Sequence, residues 1–307
     1  MRILITGATG LVGKSLVTAL QKKGHTIHYF TTRKASIKHE TGLHGYFWNP
    51  LIGSMDTDAF QGVEAIVHLA GATISNPWTK AYKQEILESR ILGLDLIYTY
   101  LHKHTHSIKQ LVSASGTGVY PDATGKTYTE ADHVSAKGFL GQVVVEWEAR
   151  AHRFQQLGIQ VCCLRTGVVL DPFEGAYPQL AKTFQWKIGS IPGKGTQFFP
   201  WIHRADLVEV YVEAIEKQWS GIINAVAPDC ITQKQLSHCL KQVYQQPFLF
   251  PRIPEFVFRL LLGERADLIL LGAAIEPARL IQMGFAFHYP TIKPALEAVI
   301  AEYDAKK

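Results

Sequence analysis

Thr6-Gly7-Ala8-Thr9-Gly10-Leu11-Val12-Gly13 is the first segment whose residue types and spacing suit a chemical task. Its glycines allow a tight turn, a close backbone approach to a bound group, and close packing of helix on strand. If a helix starts after Gly10, the N–H groups of Thr9 through Gly13 stand free and carry positive partial charge. Such a turn holds a pyrophosphate when a strand precedes it and a helix follows. About 20 residues further on, an acid would select the ribose diol of NAD. The chain has Thr31-Thr32-Arg33-Lys34 there and no acid until Glu40. Arg33 suits a 2′-phosphate, with Thr32 donating a hydrogen bond, so the residues read NADP. The plainer alternative for Arg33 is a solvated loop charge.

The surrounding pattern supplies the strand and helix that this turn needs. Arg2–Thr6 is a short apolar run, and Leu11, Val12, Leu16, Val17 and Leu20 fall at helical spacing up to a stop at Gly24. Thr26–Thr31 is a second strand, Tyr46–Trp48 a short third one, and Val63–Leu69 a buried fourth. A helix over about 79–103 is followed by a strand at Lys109–Ser115, a helix over about 137–157 and a strand at Gln160–Arg165. Apolar strands alternating with helices predict an α/β fold, a Rossmann-like doubly wound parallel sheet, with a smaller, mostly helical carboxy-terminal lobe. The expected division is a nucleotide-binding domain over 1–170, a substrate lobe with return segments over 171–247, and a carboxy-terminal domain over 248–307. Residues 205–230 are expected to return to the first domain.

Composition excludes several other classes. The chain has 307 residues, 47% hydrophobic and 19% charged, which is ordinary for a folded protein and not for a disordered or coiled-coil one. Its formal net charge of +5 is spread along the chain without a basic stripe, so no nucleic-acid partner is expected. Four cysteines lack metal-ligand spacing, so no metal site is expected, and they read as reduced thiols of a cytoplasmic protein. Met1 leads straight into a strand, so no signal peptide is expected. The stretch near 260–274 is interrupted by Gly263, Glu264, Arg265 and Asp267, so no membrane span is expected.

On these residues the chain resembles the short-chain dehydrogenase/reductase superfamily, extended atypical type, and within it the YfcH-like epimerase family. The resemblance rests on the glycine turn, Leu69-Ala70-Gly71, Glu88-Ser89-Arg90, Ser113-Ala114-Ser115 before Val119-Tyr120, and Arg165 through Leu170. Gln197 through His203 with Asp206-Leu207, and the tail from Pro251 to Phe285, extend it over essentially the whole chain. The resemblance implies NADP contacts at Thr32, Arg33, Leu69, Ala70, Glu85, Arg90 and Val169, with Gly71 allowing close approach. Glu85 and Arg90 read alternatively as a surface charge pair. It also implies a small-molecule substrate such as a nucleotide sugar, and a homodimer through the two long helices.

The superfamily's chemistry uses Ser or Thr, then Tyr and Lys four residues apart on the next helix, to move a proton while hydride passes to or from nicotinamide. Ser115 fits the first position. The helix offers only Phe139/Val143 or Leu140/Val144, and Tyr128 has Asp132 four residues on. An asparagine that relays protons is replaced, on this reading by Arg90. The pair is therefore missing, and Tyr120 is the best substitute proton donor. His68 reads as a buried, hydrogen-bonded strand residue. Asp206 is expected to cap the helix that follows it. Trp201 and His203 are candidates for substrate contact. Lys194 and Arg204 suit an anionic substrate or, equally, solvent. Three readings result: an NADP-dependent oxidoreductase or epimerase, a non-catalytic NADP(H)-binding sensor, and a structural subunit with a vestigial site.

Overall fold

The computed structural model describes residues 1–122, 125–134, 137–247 and 252–306. Its first half is a run of strand–helix units: β1 (Arg2–Thr6), α1 (Leu11–Lys22), β2 (Thr26–Thr31), β3 (Leu43–Asn49), β4 (Ala65–His68) and α2 (Lys80–Lys103). Then follow β5 (Gln110–Gly116), α3 (Phe139–His152), β6 (Gln160–Thr166), β7 (Val168–Leu170), α4 (Tyr177–Gln185), β8 (Trp201–His203), α5 (Arg204–Glu216), β9 (Gly221–Ala225) and α6 (Gln233–Val243). The remainder is short helices and two-residue strands before a last helix, Ile292–Asp304.

Seven strands lie parallel in the order β9-β6-β5-β4-β1-β2-β3, and His39–Glu40 and Ser54–Met55 pair antiparallel on β3. Both faces of this sheet are covered, which is why β1, β4, β5 and β6 read as apolar runs. Side chains alternate between the faces. Ile3, Ile5, Val67, Val112 and Leu164 pack with α1 and α5, while Leu4, Ile66, Leu111, Val161 and Cys163 pack with α2 and α3. A separate core around Tyr177, Phe184, Trp201, Leu236 and Leu296 binds α4, α6 and the last helix together. No helix among the described residues is long and apolar enough to cross a membrane.

The chain order reverses between β1 and β4. The chain leaves β1 toward β2 and β3, then crosses back to place β4 on β1's other side. In open parallel sheets a crevice forms outside the strands' carboxyl ends at such a switch point, and ligands bind there.

Three elements differ from the sequence reading. The third strand runs over seven residues because antiparallel partners on its outer edge complete its ladder, although His44 and Gly45 interrupt the apolar pattern. The helix expected to reach 157 ends at His152 and tightens into a 3-10 turn, Arg153–Leu157, before left-handed Gly158. Strand β9 has little signal in the sequence, since Gly-Ile-Ile-Asn-Ala offers only two consecutive strongly apolar residues. Phe248 and Pro251, where the sequence places the carboxy-terminal lobe's start, lie outside the described residues.

Candidate functional site

The crevice is built from the carboxyl ends of β1 and β4. Gly7 has φ +74°, and a Cβ there would sit 2.8 Å from the Leu69 carbonyl carbon and 2.9 Å from the Ala70 nitrogen. A Cβ on Gly13 would run into the Gly7 carbonyl oxygen. Gly10 donates to the Gly7 oxygen at 3.0 Å and is the N-cap of α1, with no side-chain cap and no acid in the first turn. Leu11, Val12 and Gly13 therefore start α1 with N–H groups that no cap satisfies, an arrangement suited to an anion. Thr9 and Gly10 are exposed beside them.

One hydroxyl ties the two strand ends together. Thr6 Oγ1 accepts from the N–H groups of Leu69 and Ala70, both at 3.2 Å, and lies 2.9 Å from His68 Nδ1. His68 Nε2 is 3.0 Å from the Arg90 carbonyl, which can only accept. The proton is thus on Nε2, and Nδ1 accepts from Thr6. Burial holds this imidazole neutral, pushing its pKa down to about 4. His68 is a clamp between β1, β4 and α2. Ser89 adds a second tie, its Oγ accepting from the Ala72 N–H at 2.8 Å.

Arg90 stands at the crevice wall in an unusual electrostatic state. A Cβ on Gly71 would meet its guanidinium carbon at 3.1 Å. Its Nη1 donates to the Ile86 carbonyl at 2.8 Å, and its guanidinium lies 5.1 Å from the Trp147 ring centroid. Among the described residues no carboxylate pairs with it, and burial pushes its pKa down to about 10. Trp147 contributes a buried indole N–H without a partner among the described residues. The structure does not bring Glu85 to this cluster. Five helical residues turn its side chain about 140° from Arg90, and Glu85 is exposed. The charge pair considered from sequence does not form.

Thr32 and Arg33 are exposed immediately after β2, next to β1 in the sheet, and Arg33 has no ion-pair partner among the described residues. Val169, on β7, packs against the same core as Val12 and Leu69. The expected cofactor positions other than Glu85 thus lie at the ends of β1, β2 and β4, in the first turn of α1, on α2 and on β7.

The expected catalytic residues are placed differently. Ser115 is buried and donates to Glu148 Oε1 at 2.6 Å. Glu148, on α3, is gripped by Arg165 through two bonds of 2.8 Å. Tyr120 accepts from Arg165 at 3.0 Å and donates to Asn224 Oδ1 at 2.7 Å. Burial raises the Tyr120 pKa against the opposing pull of Arg165. Burial also works against the Arg165 charge, but Glu148 overcomes it and holds the guanidinium above its usual range. The Tyr120 hydroxyl is spent within the fold, which argues against its expected role as proton donor.

The structure also decides which helix positions face the end of β5. Leu140 Cβ would lie 3.1 Å from a Cβ on Gly118, and Val144 Cγ2 3.5 Å from one on Gly116. Phe139 turns the other way, edge-on to Trp78 and 5.2 Å from Lys83 Nζ. Leu140 and Val144 therefore face the end of β5, and neither side chain can transfer a proton. Thr117, at the strand's end, is half-buried, and its hydroxyl has no partner among the described residues. Sequence reasoning passed over it, although its place directly after β5 was a usable signal.

Trp201 and His203 do not line the crevice. Trp201 is 1% exposed in the carboxy-terminal core, donating to the Asp229 carbonyl at 3.0 Å. His203 caps α5, its Nδ1 accepting from the Ala205 N–H at 3.1 Å, and its ring lies 4.0 Å from that of Tyr289. Burial pushes its pKa down to about 4. The cap is thus His203 and not Asp206, which instead accepts from the backbone N–H groups of His288 and Tyr289. Arg204 is half-buried and is not free for substrate, because Asp171 and Glu302 hold it.

Residues 3–225 match the NAD dependent epimerase/dehydratase family, and residues 253–299 match a domain of unknown function, DUF1731. An epimerase family protein of Staphylococcus aureus (strain NCTC 8325 / PS 47) is 31% identical over 300 residues, covering 97% of this chain and 99% of that one. The structure of a human epimerase family protein with NADPH superposes with a TM-score of 0.86 at 28% identity, covering 98% of this chain and 99% of that one. A nucleoside-diphosphate sugar epimerase from Corynebacterium glutamicum gives 0.76 at 28% identity, over 99% of this chain and 61% of that one.

Proposed function

The chain belongs to the NAD dependent epimerase/dehydratase family, and on that premise we propose that it binds NADP(H) and acts on a nucleoside-diphosphate-linked sugar as an atypical oxidoreductase or epimerase. The observation that carries cofactor binding is Arg90, a desolvated cation at the crevice wall with no carboxylate partner among the described residues. A buried cation is costly unless an anion meets it. The uncapped first turn of α1 offers N–H groups to the same anion, and exposed Arg33 suits a 2′-phosphate. Bound nicotinamide supplies hydride transfer. The residues at the end of β5 would exclude water through Leu140 and Val144 and hold a substrate oxygen through Thr117. The human relative bound to NADPH and the named sugar epimerase support the cofactor and the substrate class.

A second reading, a non-catalytic NADP(H) sensor, is favoured by one specific observation. The hydroxyls of Ser115 and Tyr120 are both engaged in the Glu148–Arg165 network, and Leu140 and Val144, which face the end of β5, cannot transfer a proton.

The test is fluorescence titration with NADPH and NADH, in the wild type and in Arg33→Ala, followed by turnover assays on a nucleotide-sugar panel. A charge-assisted phosphate contact is worth about 1.5–3 kcal/mol, so Arg33→Ala is expected to weaken NADPH about ten- to a hundredfold and leave NADH unchanged. Equal affinity for both cofactors in the wild type would overturn the NADP assignment. Turnover of any sugar nucleotide decides for the enzyme; NADPH binding without turnover decides for the sensor.

A further inference from the structure

A cleft of about 530 Å³ runs along the outer side of α1, between that helix, the segment after β7 and the last helix. Asp171, only 3% exposed, folds that segment, its Oδ1 accepting from the N–H groups of Phe173 at 2.8 Å and Glu174 at 2.7 Å. So turned, the segment lies on the first turn of α1. Glu174 accepts from Lys14 Nζ at 2.7 Å. At Gly175, whose φ is +82°, a Cβ would sit 3.0 Å from Leu11 Cδ1. Leu11 opens the same turn whose uncapped N–H groups face the crevice.

The other end of the segment is held by the last helix. Asp171 Oδ2 pairs with Arg204 Nη1, and Arg204 Nη2 donates to both Glu302 oxygens at 2.8 and 2.7 Å. The Phe173 ring lies 6.0 Å from that of Tyr303, with Lys306 Nζ 4.7 Å from its centroid. A continuous relay therefore joins the last helix, through Arg204 and Asp171, to the start of α1. Its end at α1 lies at the surface, where Phe173 is 42% exposed and Lys14 and Glu174 are exposed, while Asp171 at the Arg204 end is buried. An exposed pair such as Lys14–Glu174 adds little to global stability, so this end of the relay can part at small cost.

We infer that residues 171–175 form a clasp over the phosphate-binding end of α1, and that the last helix, acting through Arg204, sets how long the dinucleotide stays bound. Glu302 and Arg204 are positioning residues in this inference, which rests on the NADP(H) reading above. Closing the clasp brings Gly175 and Leu11 together at the turn, and loosening Arg204 frees Asp171 to let the segment lift.

The test is stopped-flow displacement of NADPH from the wild type, Glu302→Gln and Glu302→Asp, with hydrogen exchange of the Phe173 and Glu174 amides with and without NADPH. Glu302→Gln is expected to speed NADPH release about three- to tenfold, as loss of one charge-assisted contact would. Glu302→Asp is expected to restore much of the wild-type rate. NADPH is expected to slow exchange at both amides in the wild type. A merely structural role would lower the melting temperature without changing the release rate, and that result would overturn the clasp. So would exchange that NADPH leaves unchanged. Wild-type protein that shows no saturable NADPH signal would instead overturn the cofactor reading, and the clasp with it.

Discussion

Replacing Arg90 with Met removes the crevice cation while keeping most of its aliphatic volume, and the structure gives the two expected effects opposite signs. Burial lowers the guanidinium pKa from its ordinary value to about 10. At about 1.4 kcal/mol per tenfold, the charge is disfavoured by on the order of 3 kcal/mol in the cofactor-free protein. Against that stand the hydrogen bond to the Ile86 carbonyl, worth about 1 kcal/mol, and the contact with Trp147, worth about 0.5–2 kcal/mol. These offset about half to all of the burial term, so cofactor-free Arg90→Met is expected to be as stable as the wild type or up to about 1.5 kcal/mol more stable. By the usual scaling that is a rise of zero to about 5 °C in melting temperature. NADPH affinity is expected to fall at least about tenfold, because a phosphate loses its charged partner. Calorimetry without cofactor and fluorescence titration with it read the two effects separately. A loss of more than about 2 kcal/mol with unchanged NADPH affinity would refute the reasoning and make Arg90 a structural clamp.

Three further outcomes follow from the same geometry. Tyr120→Phe leaves Arg165 and Asn224 short of a partner, and is expected to cost about 1–3 kcal/mol in denaturant unfolding with NADPH affinity unchanged; lost turnover at unchanged stability would restore Tyr120 as a proton donor. Gly13→Ala drives a methyl into the Gly7 carbonyl, and NADPH titration is expected to show binding abolished. His203 has a pKa of about 4 in the fold against 6.5 in the unfolded chain, so between those values the unfolded chain binds the extra proton. Its stabilisation is complete above about pH 6.5 and is lost as pH falls toward 4. His203→Asn keeps a capping side chain without that titration, and unfolding measured across this range is expected to show a shallower acid loss, by up to about 1.4 kcal/mol per pH unit.

Much of the fold is legible in the residues because its signals are local. The glycine turn between Arg2–Thr6 and Leu11–Lys22 states its own conformation: Gly7 needs positive φ, and Gly13 needs the absence of a side chain. The apolar runs of β1, β4, β5 and β6 follow from a sheet covered on both faces. The absence of Tyr and Lys from α3 is equally a fact of the sequence.

What a side chain touches was decided only in three dimensions. Ser115 and Tyr120 have residue types and spacing that suit catalysis, yet Glu148, Arg165 and Asn224 arrive from α3, β6 and β9 to engage their hydroxyls. Trp201 and His203 read as cleft residues because aromatic and titratable side chains clustered there; packing of α4, α6 and the last helix around β8 buries them instead. Arg90 shows both limits. Its position on the long helix was visible, but its lack of a carboxylate partner among the described residues was not. Sequence determined the local backbone, where sterics act over a few residues. The tertiary structure decided charge state and partnership, because desolvation and pairing depend on whichever distant segments pack around a group.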